Sequence, residues 1–359
     1  MDLVLSNSAI YGLISQTDFF EKDIANKENT NKYYVIHKGD FVYNPRKSMY
    51  APYGPINILE QYDVGIVSPL YNCFKIEDKY SMFLKWYFKS TKWHRYVYIH
   101  GDQGARGDRV SIKDEIFFNM PIYIPNELER NKIITLLNIF SRKIELLEAK
   151  ISILKKYKKG IKKIAVKDSI NYWKNNSIDA INLGDFLEEI KEYCENNGTY
   201  SHVTLSKEGI YPKTDRYDRD FLVKTEDKKY RITRLDQLCY NPANLKFGVI
   251  CINKYGKGIF SPIYITFKIK NIIEDYLELI VTSNDFINYC MKYQQGTVYE
   301  RMSVSVEDFI KIKIVPTNSE NQHRLASVSF SLDKKISKLE SELLNIQKFK
   351  TNLLSKLFI

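Results

Sequence analysis

The chain carries one set of segments twice. Tyr43-Asn44-Pro45, Gly65-Ile66-Val67-Ser68-Pro69-Leu70-Tyr71 and Phe74-Lys75-Ile76 return as Tyr240-Asn241-Pro242, Gly258-Ile259-Phe260-Ser261-Pro262-Ile263-Tyr264 and Phe267-Lys268-Ile269. Arg109-Val110-Ser111-Ile112 returns as Arg301-Met302-Ser303-Val304, and Pro125 returns as Pro316. The offset is about 192 residues, far beyond the roughly 20–50 residues of a solenoid repeat. A duplication on this scale makes two related domains, in tandem or about a pseudo-twofold axis, and predicts a partner met at two places.

Each repeat ends in a helical pattern. After Pro125, Asn126 is placed to cap a helix with Glu129 at its third position. Apolar residues then fall at Phe140, Ile144, Leu147, Ile151 and Leu154, spaced four, three, four, three, before Lys158 interrupts the seam and Ile161 resumes it. Leu332, Ile336, Leu339, Leu343 and Ile346 repeat the spacing, with Lys350 as the break and Leu353 as the resumption. Two such helices, each about 60 Å long at 1.5 Å per residue, are built to pair with one another. A twofold relation between the domains predicts an antiparallel pair.

The domain segments read as mixed α and β structure. Tyr33–Tyr43, Gly65–Ile76 and Met120–Ile124 read as strands. Ser81–Lys92 reads as a helix with Phe83, Trp86 and Tyr87 on one side, and residues 101–107 as a glycine-rich loop. The fold class predicted is α+β, with two tandem recognition-type domains, each followed by a long helix. Boundaries fall at 1–125 for the first domain, 126–167 for the central helix, 168–177 for a polar linker, 178–316 for the second domain and 317–359 for the last helix. The second domain has a longer lead-in to its Tyr-Asn-Pro. The first therefore lacks the counterpart of roughly Ile181–Glu195.

Composition limits the chemistry. The net charge of +11 favours a polyanionic partner, although an AT-rich coding bias toward Lys, Asn, Ile and Tyr accounts for part of it. No apolar run is long enough to span a membrane, and no charged-then-apolar leader precedes the first domain, so a cytoplasmic location is expected. The five Cys are scattered and read as buried thiols in a reducing compartment. No phosphate-binding P-loop, zinc-protease motif or His/Cys cluster is present, so no catalytic residue and no metal ligand is assigned. Asn44-Pro45 and Asn241-Pro242 lack the second Pro and the aromatic of an amino-methyltransferase motif, and read as strand ends.

Framework segments repeat while the loops between them differ. Residues 46–54 replace the shorter 243–248, and residues 101–109 stand against 294–301. These loops hold Arg46, Lys47, Gln103, Arg106 and Arg109 in the first half, and Lys246, Gln295, Tyr299 and Arg301 in the second. Such side chains read base edges and hold phosphates, and varying loops on a fixed frame lets one scaffold read two sequences. Gln103 and Arg106 are the expected base readers of the first half. Arg109 and Arg301, present in both halves, are expected to hold the backbone or the fold.

Taken together, the doubled Tyr-Asn-Pro and Gly-Ile-x-Ser-Pro-x-Tyr segments, the 101–109 loop, Met120-Pro121-Ile122 and the two heptad helices resemble the specificity (S) subunit of a type I restriction–modification system over essentially the whole chain. The resemblance implies that each domain binds one half of a split double-stranded DNA target. The paired helices, with Ile144, Leu147, Ile151 and Leu154 against Ile336, Leu339, Leu343 and Ile346, would set the spacing. Methyltransferase (M) subunits would dock on them and bring S-adenosylmethionine, and restriction (R) subunits would bring ATP-driven cleavage. The chain itself would hold no cofactor. The shortened first domain departs from the family pattern at its opening strand, unless that segment comes from elsewhere, such as the end of the chain. Two other readings fit less of the sequence: a coiled-coil scaffold for proteins alone, and a nuclease or methyltransferase with a degenerate motif.

Overall fold

The computed structural model describes residues 3–19, 27–102, 107–110, 112–176, 178–195, 198–213, 229–295 and 302–358. The chain divides into two compact units, residues 1–148 with 340–359 and residues 149–339.

The first unit opens with the hairpin β1 (Leu5–Ser8) and β2 (Gly12–Ser15), followed by the single turn α1 (Gln16–Phe19). The stretch 33–43 expected as one strand is two, β3 (Tyr34–His37) and β4 (Phe41–Tyr43). Gly39 at φ +94° turns the chain between them, and the Asp40 carboxylate accepts from the His37 N–H at 2.8 Å. The run 65–76 likewise splits, into β6 (Val64–Val67) and β7 (Asn72–Phe74), after β5 (Ile56–Ile58). β4 sits centrally in a β5-β4-β7 sheet, and β3 pairs with β6. Helices α2 (Asp78–Tyr87), α3 (His94–His100) and α4 (Asp114–Phe118) cover the sheet. Tyr43 stacks on Phe117 at 5.4 Å in a core that includes Phe83, Trp86, Trp93 and Val97. No strand forms over 120–124, contrary to expectation, since no chain runs beside it among the described residues. α5 (Glu127–Asn175) starts as the sequence predicts, with Asn126 Oδ1 accepting from the Glu129 N–H at 3.0 Å.

The second unit repeats this plan with extra strands. β8 (Ile181–Asn182), β9 (Leu187–Glu189) and β10 (Tyr193–Cys194) precede the hairpin β11 (Val203–Ser206) and β12 (Gly209–Pro212). β13 (Tyr230–Thr233), β14 (Leu238–Tyr240), β15 (Ile250–Ile252), β16 (Gly258–Phe260) and β17 (Ile265–Ile269) follow. Next come α6 (Glu274–Val281), α7 (Asn284–Cys290), α8 (Val306–Lys311), β18 (Lys313–Ile314) and α9 (Ser319–Leu357). The main sheet has the order β15-β14-β17-β9, with β10-β13-β16 and β18-β8 beside it. Tyr240, the counterpart of Tyr43, stacks on Phe309 at 4.5 Å and is fully buried. The segment 168–175, which composition reads as linker, is the end of α5. It stays helical because Tyr172 is buried, Trp173 stacks on Tyr289 at 5.1 Å and its indole donates to the Lys313 carbonyl at 3.1 Å.

The two long helices run antiparallel within each unit. In the first, Phe140 meets Phe349 at 5.2 Å, the Lys350 amine donates to Ser141 Oγ at 2.7 Å, and Lys143 pairs with Glu342 at 3.0 Å. In the second, the Lys158 amine reaches Asp333 at 2.5 Å. Both seam-breaking lysines therefore find a polar partner on the facing helix. The expected seam is the more enclosed face. Leu147, Ile151, Ile336 and Leu339 are buried, and Ile144, Leu154, Leu343 and Ile346 half-buried, among exposed neighbours. Each helix also ends in a core. Ala165 and Val166 of α5 belong to the second unit's core, while Phe358, just past α9, packs on Phe83 at 5.3 Å and Tyr87 at 5.8 Å in the first. The last turn of α9 thus packs into the first unit's core.

Candidate nucleic-acid interface

In the first unit, two loops distant in sequence are stitched into one surface. β4 ends at Tyr43, and Asn44 then organises the turn: its Oδ1 accepts from the Arg46 N–H at 3.0 Å and its Nδ2 donates to the Asn7 carbonyl at 3.3 Å. Loop 45–47 pairs with 108–110. The Val110 N–H donates to the Pro45 carbonyl at 3.0 Å, the Lys47 N–H to the Asp108 carbonyl at 2.8 Å, and Arg46 bridges Arg109 in antiparallel register. Gly54 closes the loop at φ +83°, where a Cβ would lie 2.0 Å from the Asn44 carbonyl oxygen, so only glycine fits.

The result is a cleft of about 450 Å³ lined by Asn7, Ser8, Arg46, Lys47, Tyr71 and Arg109. Arg46 and Arg109 are exposed, and Arg46 Nε lies 4.0 Å from Asp108. Met49 and Tyr50 stand out from the adjacent loop at 84% and 67% exposure, giving flat apolar surface beside the cations. Burial pushes the Tyr71 hydroxyl's pKa up, partly offset by a hydrogen bond with the Asn7 backbone and by Arg46 and Arg109, so it stays a neutral hydrogen-bonding group. Guanidinium, amine, hydroxyl and amide groups on one open rim form the kind of donor set that grips phosphates and base edges. Gln103 and Arg106, the expected base readers, lie outside the described residues.

The second unit treats the same position differently. Asn241 Oδ1 caps a 3-10 turn over Pro242–Phe247 by accepting from the Ala243 and Asn244 N–H groups at 3.1 and 3.3 Å, and Gly248 ends it at φ +80°. Lys246 and Phe247 project from this turn, both exposed, with the amine 5.0 Å from the ring centroid. Gln295 pairs its backbone with Ser303 at 2.9 Å in both directions, and its side-chain amide donates to Asp308 at 2.7 Å. In the chain by itself this exposed side chain is thus tied to Asp308 at the base of the loop. Tyr299 and Arg301 lie outside the described residues.

Sequence reading missed Asn7, Ser8 and Tyr71, which reach the cleft only through tertiary folding. It also missed a larger cleft of about 740 Å³ in the first unit, lined by Lys85, Lys89, Arg142 and Lys350. There Lys85 pairs with Glu60 at 2.6 Å, and the Lys350 amine sits 4.6 Å from the Trp86 ring centroid. Among the described residues no group of His, Cys, Asp and Glu is arranged to hold a metal. Burial raises the thiols, Cys73 to about 11 and Cys239 to about 12, so neither is a nucleophile at neutral pH. No helix among the described residues is long and apolar enough to cross a membrane.

The S subunit of a type I restriction–modification system from M. genitalium superposes with a TM-score of 0.51 at 16% identity, over 94% of this chain and 87% of that one. The chain has the fold of that S subunit. The HsdS subunit from Thermoanaerobacter tengcongensis aligns at 12% identity and a TM-score of 0.42, over 90% of this chain and 81% of its own. A chain from a structure of assembly and conformational transition in the type I R-M system aligns at 11% and 0.47, over 94% and 86%. No family model and no curated protein sequence matches.

Proposed function

We propose that the chain is the sequence-specific DNA-recognition subunit of a type I restriction–modification complex. Each domain reads one half of a bipartite target. The antiparallel helices fix the distance between the halves and dock methyltransferase subunits. The observation that carries this reading is a frame repeated within the chain with divergent loops. One Tyr-Asn-Pro strand end leads in the first unit to an Arg46/Lys47/Arg109 rim and in the second to a Lys246/Phe247 turn. Two different surfaces on one frame suit two different base sequences.

In this reading the chain is not itself an enzyme. Methyltransferase subunits supply S-adenosylmethionine and the methyl transfer, and restriction subunits supply ATP hydrolysis and cleavage, in the cytoplasm. Arg46 and Arg109 hold phosphates, with Lys47 beside them, and Gln103 and Arg106 read bases. On the second domain Lys246, Gln295, Tyr299 and Arg301 face DNA. The test is selection of duplexes from a randomised library by the chain together with its methyltransferase subunit. Enrichment of two short fixed blocks around a spacer of constant length supports the reading. Recovery of random sequence, or of one uninterrupted block, refutes it.

A further inference from the structure

Charge does not balance in the larger cleft of the first unit, about 740 Å³ in volume. The cleft opens between the β1–β2 hairpin, β4 and β5, α2 and the two long helices. Lys85, Lys89, Arg142 and Lys350 line it against the acids Glu60 and Glu145. Glu60 is taken by Lys85 at 2.6 Å, and Glu145 by Arg142 at 3.1 Å. Lys89 and Lys350 are left with neutral acceptors: Lys89 donates to Asn57 Oδ1, and Lys350 to Ser141 Oγ at 2.7 Å. The walls desolvate the Lys89 amine, although the residue reaches solvent through the mouth of the cleft. With Lys85 and Lys350 alongside, and Glu60 offsetting only part, its pKa falls to about 8. Burial and Lys85 pull the Lys350 pKa down as well. Like charges crowded in a cleft repel one another, and an anion between them removes that cost.

The second domain shows the same place neutralised. At the offset that relates Phe74 to Phe267, Glu278 of α6 stands where α2 has Lys85, and Thr282 stands where Lys89 is. The facing pair Lys158 and Asp333 repeats Lys350 and Ser141. There Lys158 meets Asp333 at 2.5 Å, Lys162 donates to Thr282 Oγ1 at 2.9 Å, and both Asp333 and Glu278 favour the Lys162 charge. One frame therefore carries a self-paired cluster in one domain and two amines without a carboxylate in the other. Packing needs that both domains share do not account for the surplus.

We propose that the first-unit cleft binds a dianionic phosphate group, with Lys89 and Lys350 holding it and Lys85 beside them. An ammonium has three donor hydrogens, and the bonds to Asn57 and Ser141 take one from each amine. The others form charge-assisted bonds to phosphate oxygens. The cleft has more room than a bare phosphate needs, with Phe41, Ile56 and Leu354 as apolar lining, so the group arrives on a larger molecule. Ala9 and Ile10, between β1 and β2, line both this cleft and the Arg46/Arg109 cleft, and Asn57, which holds Lys89, also donates to Asn7 of the latter. The backbone of a bound duplex is therefore one source of the phosphate, and a free phosphorylated small molecule is the other. The site itself does not rest on the DNA reading.

The probe is inorganic phosphate, titrated into the full chain at constant ionic strength and followed by phosphorus NMR. Saturable binding is expected at millimolar phosphate. Lys89→Gln and, separately, Lys350→Gln should each weaken it about tenfold, the loss of one charge-assisted hydrogen bond. Ser141→Asp removes no cation but supplies the acid that the second domain has at Asp333, and should weaken binding as much. Lys162→Gln removes an amine from the equivalent place in the second domain and should leave binding unchanged. A second arm binds a DNA duplex at rising phosphate. Competition that disappears in Ser141→Asp assigns the site to the DNA backbone, and undisturbed duplex binding with phosphate bound assigns it to a free phosphorylated molecule. A chain that binds phosphate but no duplex keeps this proposal and loses the DNA reading. Absence of saturable phosphate binding, full binding in Ser141→Asp, or equal weakening by Lys162→Gln overturns the proposal.

Discussion

Replacing Phe358 by Ala tests how the end of the chain serves the first domain. The ring is 2% exposed and meets Phe83 at 5.3 Å and Tyr87 at 5.8 Å, beside Leu137. Truncating a buried Phe costs about 3–5 kcal/mol through lost transfer and cavity terms. At a helix end some collapse of the gap is available, which favours about 3 kcal/mol. With a urea slope of about 2 kcal/mol per molar, the first unit's unfolding midpoint should fall by about 1.5 M. Amide exchange resolved by peptide separates the units. First-unit peptides spanning Trp93 and Phe117 should lose about 100-fold protection, while second-unit peptides spanning Tyr240 and Phe267 keep theirs. A midpoint change below about 0.5 M, or equal loss in both units, would refute the reasoning that α9 is structurally part of the first domain's core.

Gly54→Ala combines a Cβ placed 2.0 Å from the Asn44 oxygen with a left-handed φ of +83°. The conformation alone costs about 1–2 kcal/mol, so a thermal melt should show clear destabilisation and DNA affinity should fall with it. Glu278 is desolvated, which raises its carboxyl pKa while it accepts from the Ile252 N–H at 3.1 Å. A pKa raised on folding stabilises fully below the unfolded value near 4.5, and that contribution is lost as pH rises through the folded value. Glu278→Gln keeps the acceptor and should flatten this slope in urea titrations at successive pH, gaining on the native chain toward neutrality. Arg109→Ala should weaken all duplexes alike and reduce the slope of log affinity against log salt by about one. A selective loss at one base position would instead make Arg109 a reader.

The repeat and the helix seam were legible because they are local patterns. A four-three spacing of Ile and Leu at Ile144–Leu154 and Ile336–Ile346 needs no tertiary knowledge, and the buried face follows it. What failed depended on partners far away in sequence. Met120–Ile124 has the residues of a strand but no neighbour to pair with among the described residues. Residues 168–175 look polar as a string, yet Ser169, Tyr172 and Trp173 face a packed domain. Gly39 split a strand that β-branched residues alone would continue. The candidate site was half legible: Arg46 and Arg109 were named separately, and only the Pro45–Val110 ladder brings them together. The Gln295–Asp308 bond joins residues 13 apart and shows only in the folded chain.

The central claim is that two independent surfaces on one frame each read half of a DNA target. The most direct measurement is mapping methylated adenines in the DNA of cells that express the chain with its methyltransferase subunit. A second strain would carry residues 1–125 exchanged for another recognition domain. The account predicts a split target whose one half changes in the exchanged strain, while the other half and the spacer stay fixed. A contiguous target, or an exchange that alters both halves or neither, would contradict it.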